Sequence, residues 1–97
     1  MAELLSPGEI TTALSTLDEW SGGPESITRT ATLPAFLTAI AVVDRVAVAA
    51  EEMDHHPDID IRWRTLTFNC STHAKGGVTS NDFALARRID EIVAAAG

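Results

Sequence analysis

Ninety-seven residues are the size of one domain, since a single core usually organises a chain of roughly 100 to 150 residues, and two independent units are excluded. With 45% hydrophobic and 22% charged residues, the chain lies outside the low-hydropathy, high-charge range in which disorder is expected. Seven Lys and Arg stand against 14 Asp and Glu for a net charge of -7, which argues against nucleic acid and against anionic membrane surfaces, because both need a basic stripe.

In chain order, Ser6-Pro7-Gly8-Glu9 offers an N-cap serine, a proline at the first helical position and a glutamate able to return the capping hydrogen bond, predicting a helix over 7–17. Gly22-Gly23-Pro24 marks a turn between a brief strand around Trp20 and a strand over 26–33. In the latter, Ile27, Ala31 and Leu33 share one parity and Thr28, Thr30 and Thr32 the other. Pro34 opens a helical pattern to about Met53, with Phe36, Ile40, Val43, Ala47 and Ala50 as its expected apolar stripe and Ala39, Val42 and Val46 widening it. This stretch is rich in valine, a weak helix former, so burial must carry more of its stability than propensity does.

After Pro57, Ile59, Ile61 and Trp63 alternate with Asp60, Arg62 and Arg64. Leu66, Phe68 and Cys70 then alternate with Thr67, Asn69 and Ser71. The parity change near Arg64-Thr65 calls for a tight hairpin or a bulge, and two antiparallel strands are the simpler account. Gly76-Gly77 breaks the chain, Thr79 can cap, and Leu85, Ala86, Ile89, Ile92, Val93 and Ala96 form the stripe of a last helix. The order α-β-β-α-β-β-α predicts a single α+β domain over 1–97: a four-stranded antiparallel sheet with three helices packed on one face. The other sheet face and an edge strand are left for solvent or for another subunit. The chain shows no basic-flanked apolar leader and no run near the ~20 apolar residues of a membrane span, so a cytoplasmic location is expected. The lone Cys70 fits that expectation, and its apolar parity makes it a buried thiol rather than a nucleophile.

All three histidines, His55, His56 and His73, lie in one short stretch, and Glu51, Glu52, Asp54 and Asp58 crowd the first pair. Acids at a helix C-terminus oppose the macrodipole, which favours a site over the alternative of a solvated acidic helix end. Carboxylates and a helix C-terminus both favour imidazolium at His55 or His56, whereas His73, with fewer acids near it in sequence, is expected to stay neutral. Such a set provides an acid and a base, although His73 also reads as an ordinary strand-end residue. Zinc is the weaker reading, because adjacent histidines point in different directions and no H-E-x-x-H spacing occurs. Gly76-Gly77 lacks the lysine and spacing of a phosphate loop.

The pattern Glu51-x3-His55-His56-Pro57-x5-Trp63-x9-His73-x8-Asp82 resembles the signature of the pterin-4a-carbinolamine dehydratase family, and the flanking text extends the resemblance over nearly the whole chain. The resemblance implies dehydration of 4a-hydroxytetrahydropterin to quinonoid dihydropterin and water, in the recycling of a pterin cofactor, with the pterin as substrate and neither a further cofactor nor a metal. By the same likeness His55 and His73 are the principal acid-base residues, His56 assists and binds the pterin, and Glu51 orients the pair. Asp54, Pro57, Ser71 and Thr72 would line the pterin pocket. Asp82 completes the signature, yet its place three residues after Thr79 equally suits a helix cap. Some members carry a tryptophan where this chain has Ile59, so a stacking contribution is missing there. The resemblance also implies a homodimer or tetramer. The alternative to an enzyme is a non-catalytic pterin-binding or protein-binding regulatory module.

Overall fold

The structure is a computed structural model that describes residues 3–96. It contains α1 (Pro7–Leu14), β1 (Ser21–Gly22), β2 (Ile27–Thr32), α2 (Phe36–Met53), β3 (Asp58–Arg62), β4 (Thr65–Cys70), a single 3-10 turn at His73–Lys75, and α3 (Ser80–Ala96). The strands form one antiparallel sheet in the order β1-β2-β4-β3, so α2 carries the chain across to the far edge and β4 returns to the centre. The expected α+β fold is the one observed.

Register decides the two faces. Ile27 pairs with Cys70, Arg29 with Phe68 and Ala31 with Leu66, and on the other side of β4 Phe68 pairs with Ile59 and Leu66 with Ile61. Of these, Ile27, Ala31, Leu66, Phe68 and Cys70 are buried in one core with Ala39, Val42 and Val46 of α2 and Leu85, Ala86 and Ile89 of α3. The opposite parity carries Thr28, Thr30, Thr32, Thr65, Thr67 and Asn69, with hydroxyl contacts between Thr30 and Thr67 and between Thr32 and Thr65.

Three expectations need correcting. Helix α1 ends at Leu14, not at residue 17: the hydroxyls of Ser15 and Thr16 bond the Thr12 and Ala13 carbonyls at 2.6 and 2.7 Å, and such local bonds compete with continuation of the helix. In α2 the buried side chains are Ala39, Val42, Val46, Ala49 and Ala50, while Phe36 and Ala47 are exposed. A helix that is apolar nearly all round does not declare its inner face by periodicity; here the face with small residues sits against the sheet. Trp63 does not extend β3. It is the first of two loop residues in the β3–β4 hairpin, at φ 56, a position that usually takes Gly, Asn or Asp. Its ring is 70% exposed, with the Arg64 guanidinium 4.8 Å from the ring centroid.

The expected cap of α1 is present: Ser6 N–H donates to Glu9 Oε1 at 2.8 Å and Glu9 N–H to Ser6 Oγ at 3.2 Å, which holds the Glu9 carboxyl below its ordinary range. Asp90 ties α3 to the start of the sheet, accepting at Oδ1 from Trp20 Nε1 at 2.8 Å and from Arg29 Nη1 at 2.5 Å. Among the described residues no helix is long and apolar enough to cross a membrane.

Candidate active site

Two chain reversals build the site. Helix α2 is closed by Asp54 in the left-handed conformation (φ 50, ψ 44), with the Asp54 N–H on Glu51 O and the His55 N–H on Ala50 O at 3.0 Å. This reversal sends the next two side chains apart: His55 is 9% exposed, while His56 stands in solvent. Pro57 then starts the extended run into β3.

The second reversal follows β4. Ser71 Oγ donates to Glu25 O at 2.8 Å, Thr72 N–H donates to Gly77 O at 2.8 Å, and the 3-10 turn between them presents His73 and closes at Gly76, φ 73. Gly77 has no room for a side chain, since a Cβ there would lie 2.7 Å from Pro24 O. Thr79 then starts α3 with a reciprocal cap: Asn81 N–H donates to Thr79 Oγ1 at 3.2 Å and Thr79 N–H to Asp82 Oδ2 at 2.9 Å.

Asp82 joins the two reversals. It is completely buried and accepts from His55 Nε2 at 2.6 Å, from Thr72 Oγ1 at 2.8 Å and from the Thr79 N–H. Thr72 gives its proton to Asp82, so the 2.8 Å contact between Thr72 and Thr79 has Thr79 Oγ1 as donor. Both Asp82 oxygens are thus acceptors, which fixes a proton on His55 Nε2 and leaves Nδ1 as the atom available for chemistry. The alternatives for Asp82, site residue or helix cap, are therefore not exclusive: one carboxylate does both.

His56 Nε2 pairs with Glu51 Oε2 in an exposed contact. Glu51 therefore holds His56 only, and the buried His55 takes its orientation from Asp82. His73 is exposed and makes no side-chain hydrogen bond among the described residues. The Cys70 thiol, beneath this end of the sheet, is pushed up to about 12 by burial and by the charges of Asp82 and Asp58, as befits an inert core thiol.

A cleft of about 430 Å³ lies between the reversals, lined by Asp54, His55, His56, Ser71, Thr72, His73, Ala74 and Asn81. Of the residues proposed from sequence, His55, His56, His73, Asp54, Ser71 and Thr72 meet there. Glu51 stands behind His56, and Pro57 lies outside the lining. Trp63 is remote, at the far end of β3, five residues and roughly 17 Å from Asp58 along the strand. Sequence reasoning missed Asn81 and the contact of Asp82 with His55; the Thr79-x-x-Asp82 cap was readable, but a partner 27 positions away was not. A larger depression of 630 Å³ beside α1, lined by residues such as Gly8, Thr12 and Arg87, holds no histidine, so size does not select the site. Among the described residues no group of three or more His, Cys, Asp or Glu side chains is arranged to hold a metal ion.

Comparison with known proteins gives the family of the chain. Residues 3–92 match the family model described as pterin 4 alpha carbinolamine dehydratase. A relative from Nocardia farcinica, provisionally named a pterin-4-alpha-carbinolamine dehydratase, is 57% identical over 90 residues, covering 93% of this chain and 95% of its own. One from Roseiflexus castenholzii with the same provisional name is 50% identical, covering 96% of this chain and 100% of its own. Among solved structures, a transcriptional coactivator/pterin dehydratase from Brucella melitensis superposes with a TM-score of 0.87 at 34% identity, over 92% of this chain and 97% of that one. A pterin dehydratase-like RuBisCO assembly factor of the alpha-carboxysome, at 20% identity and a TM-score of 0.63 over 76% of this chain and 86% of its own, shares the fold alone. On the family model and these identities, the chain belongs to the pterin 4 alpha carbinolamine dehydratase family.

Proposed function

We propose that the protein dehydrates 4a-hydroxytetrahydropterin to quinonoid dihydropterin and water by histidine acid-base catalysis, in the recycling of a pterin cofactor. The observation that carries this reading is the cleft itself, where three imidazoles in unlike surroundings converge: one buried and backed by Asp82, one exposed and paired with Glu51, one exposed and without a hydrogen-bond partner among the described residues. Removing water from C4a needs a proton delivered to the departing oxygen and another taken from a ring nitrogen. His55 suits the base, because Asp82 stabilises the imidazolium formed when Nδ1 accepts that proton. We assign the acid to His73 in its imidazolium form, which reverses the protonation states expected from the sequence: the C4a–O bond breaks with its electron pair on oxygen, the proton from His73 completes water, and the ring nitrogen's freed pair forms the new C=N bond. Solvent returns the proton from His55 to His73. His56 serves binding and assists, with Asp54, Ser71 and Thr72 in the same lining, and Pro57, outside it, contributes by fixing the chain after His56. Each step is a proton transfer, so neither a metal nor a further cofactor is required.

The test is to mix the protein with chemically generated 4a-hydroxytetrahydropterin and follow its absorbance. A decay rate proportional to protein concentration supports the reading, and a rate equal to that of buffer contradicts it. The second reading, a protein-binding regulatory module, draws on the coactivator name of the Brucella structure and on exposed Leu37, Val48 and Trp63; it gains if that assay fails while the protein is folded. We propose further that the protein acts in the cytoplasm as a homodimer or tetramer.

A further inference from the structure

The pterin reading of the cleft leads to one further residue. Asn81 is the second residue of α3, its backbone fixed by the hydrogen bond to Thr79 and followed directly by Asp82, the anchor of His55. It is exposed, it lines the cleft, and among the described residues its carboxamide makes no hydrogen bond. Two features single it out. The first turn of a helix favours a carboxylate, and this chain has 14 acids, yet position 81 carries a neutral amide. The other polar side chains of the lining are also differently committed: Ser71 Oγ donates to Glu25 O, Thr72 Oγ1 donates to Asp82, and Asp54 only accepts. The histidines carry their two nitrogens on separate sides of the ring. Among the described residues of the lining, only Asn81 offers an unengaged donor and acceptor side by side.

A pterin carries the complementary pair, a ring N–H beside the carbonyl at C4. We infer that Asn81 binds the substrate by this edge, Nδ2–H donating to the carbonyl oxygen and Oδ1 accepting from the ring N–H. Asn81 moves no proton; it is a binding and specificity residue, and the inference rests on the pterin reading above.

Calorimetric titration of the full chain with 7,8-dihydropterin and with its 2,4-diamino counterpart tests it. Wild type binds both, since the carboxamide can turn over to meet a 4-amino edge. Asn81→Asp keeps the shape, favours the helix start and replaces the donor by an acceptor. It should weaken both ligands by roughly tenfold to a hundredfold, since its second oxygen then faces the C4 carbonyl oxygen of one and the unprotonated ring nitrogen of the other. Asn81→Ala should weaken both about equally, by roughly tenfold, and raise KM with kcat kept. Unchanged affinity for both ligands in Asn81→Asp and Asn81→Ala overturns the inference and leaves the pterin reading standing. Failure of wild type to bind either ligand overturns both.

Discussion

His55 and His73 carry the proposed chemistry through different surroundings, so their substitutions should differ from that of His56. Replacing either by Ala removes a general acid or base, for which a loss of roughly 10² to 10⁴ in kcat is usual, whereas His56→Ala should act at least as much on KM. Asp82→Asn tests the positioning role separately. The amide still caps α3, but it can present its N–H to His55 and so reverse the tautomer; kcat should fall and the acidic limb of the pH–rate profile, which reports the base, should move, while KM changes little. A purely structural Asp82 would leave that profile unchanged. Cys70 supplies a stability prediction. Its pKa in the folded protein is about 12 against an ordinary 9.0, so the unfolded chain gives up the thiol proton first. The stability tied to the neutral thiol is complete below about pH 9 and is lost as pH rises from there toward 12. Cys70→Val should flatten alkaline unfolding by about one proton in that window; an identical slope in urea titrations of both proteins would contradict this.

At the scale of elements, the sheet and helices were legible because period-two and helical patterns differ sharply: Thr28, Thr30 and Thr32 against Ile27, Ala31 and Leu33 declare two faces of β2. The inner face of α2 was not legible, since its alanines and valines occupy every side of the helix. Nor did local pattern show that β4 lies between β2 and β3, because pairing across 40 residues leaves no periodic mark. The Arg29–Asp90 pair is of this distant kind. Both groups are partly shielded, and Arg29 Nε has no partner among the described residues, so Asp90→Ala should leave a poorly satisfied cation and cost about 2 kcal/mol, read as a lower urea midpoint at unchanged m. Trp63→Gly relieves a left-handed bulky residue and should stabilise the hairpin by about 1 kcal/mol without changing pterin affinity. A lowered melting temperature with loss of association would instead place Trp63 in a contact between copies.

For the whole molecule, the fold brings together chain segments 55–56, 71–74 and 81, which the sequence alone could link only through a family resemblance. Their convergence depends on a single buried carboxylate, Asp82, that serves α3 and His55 at once. The open edge at β3, with Ile61 and Trp63 exposed, and the exposed Leu37 and Val48 of α2 support assembly. Light scattering should give a mass of two or four 10.3 kDa chains; a persistent single-chain mass would contradict this. The proposed chemistry is that these histidines, in this cleft, remove water from a pterin carbinolamine. Stopped-flow dehydration of 4a-hydroxytetrahydropterin by wild type, His55→Ala and His73→Ala, with folding checked by circular dichroism, tests it most directly. Fast decay is expected with wild type, and a loss of roughly 10² to 10⁴ in each variant. Wild-type decay no faster than in buffer, or both variants turning over at the wild-type rate, would contradict it.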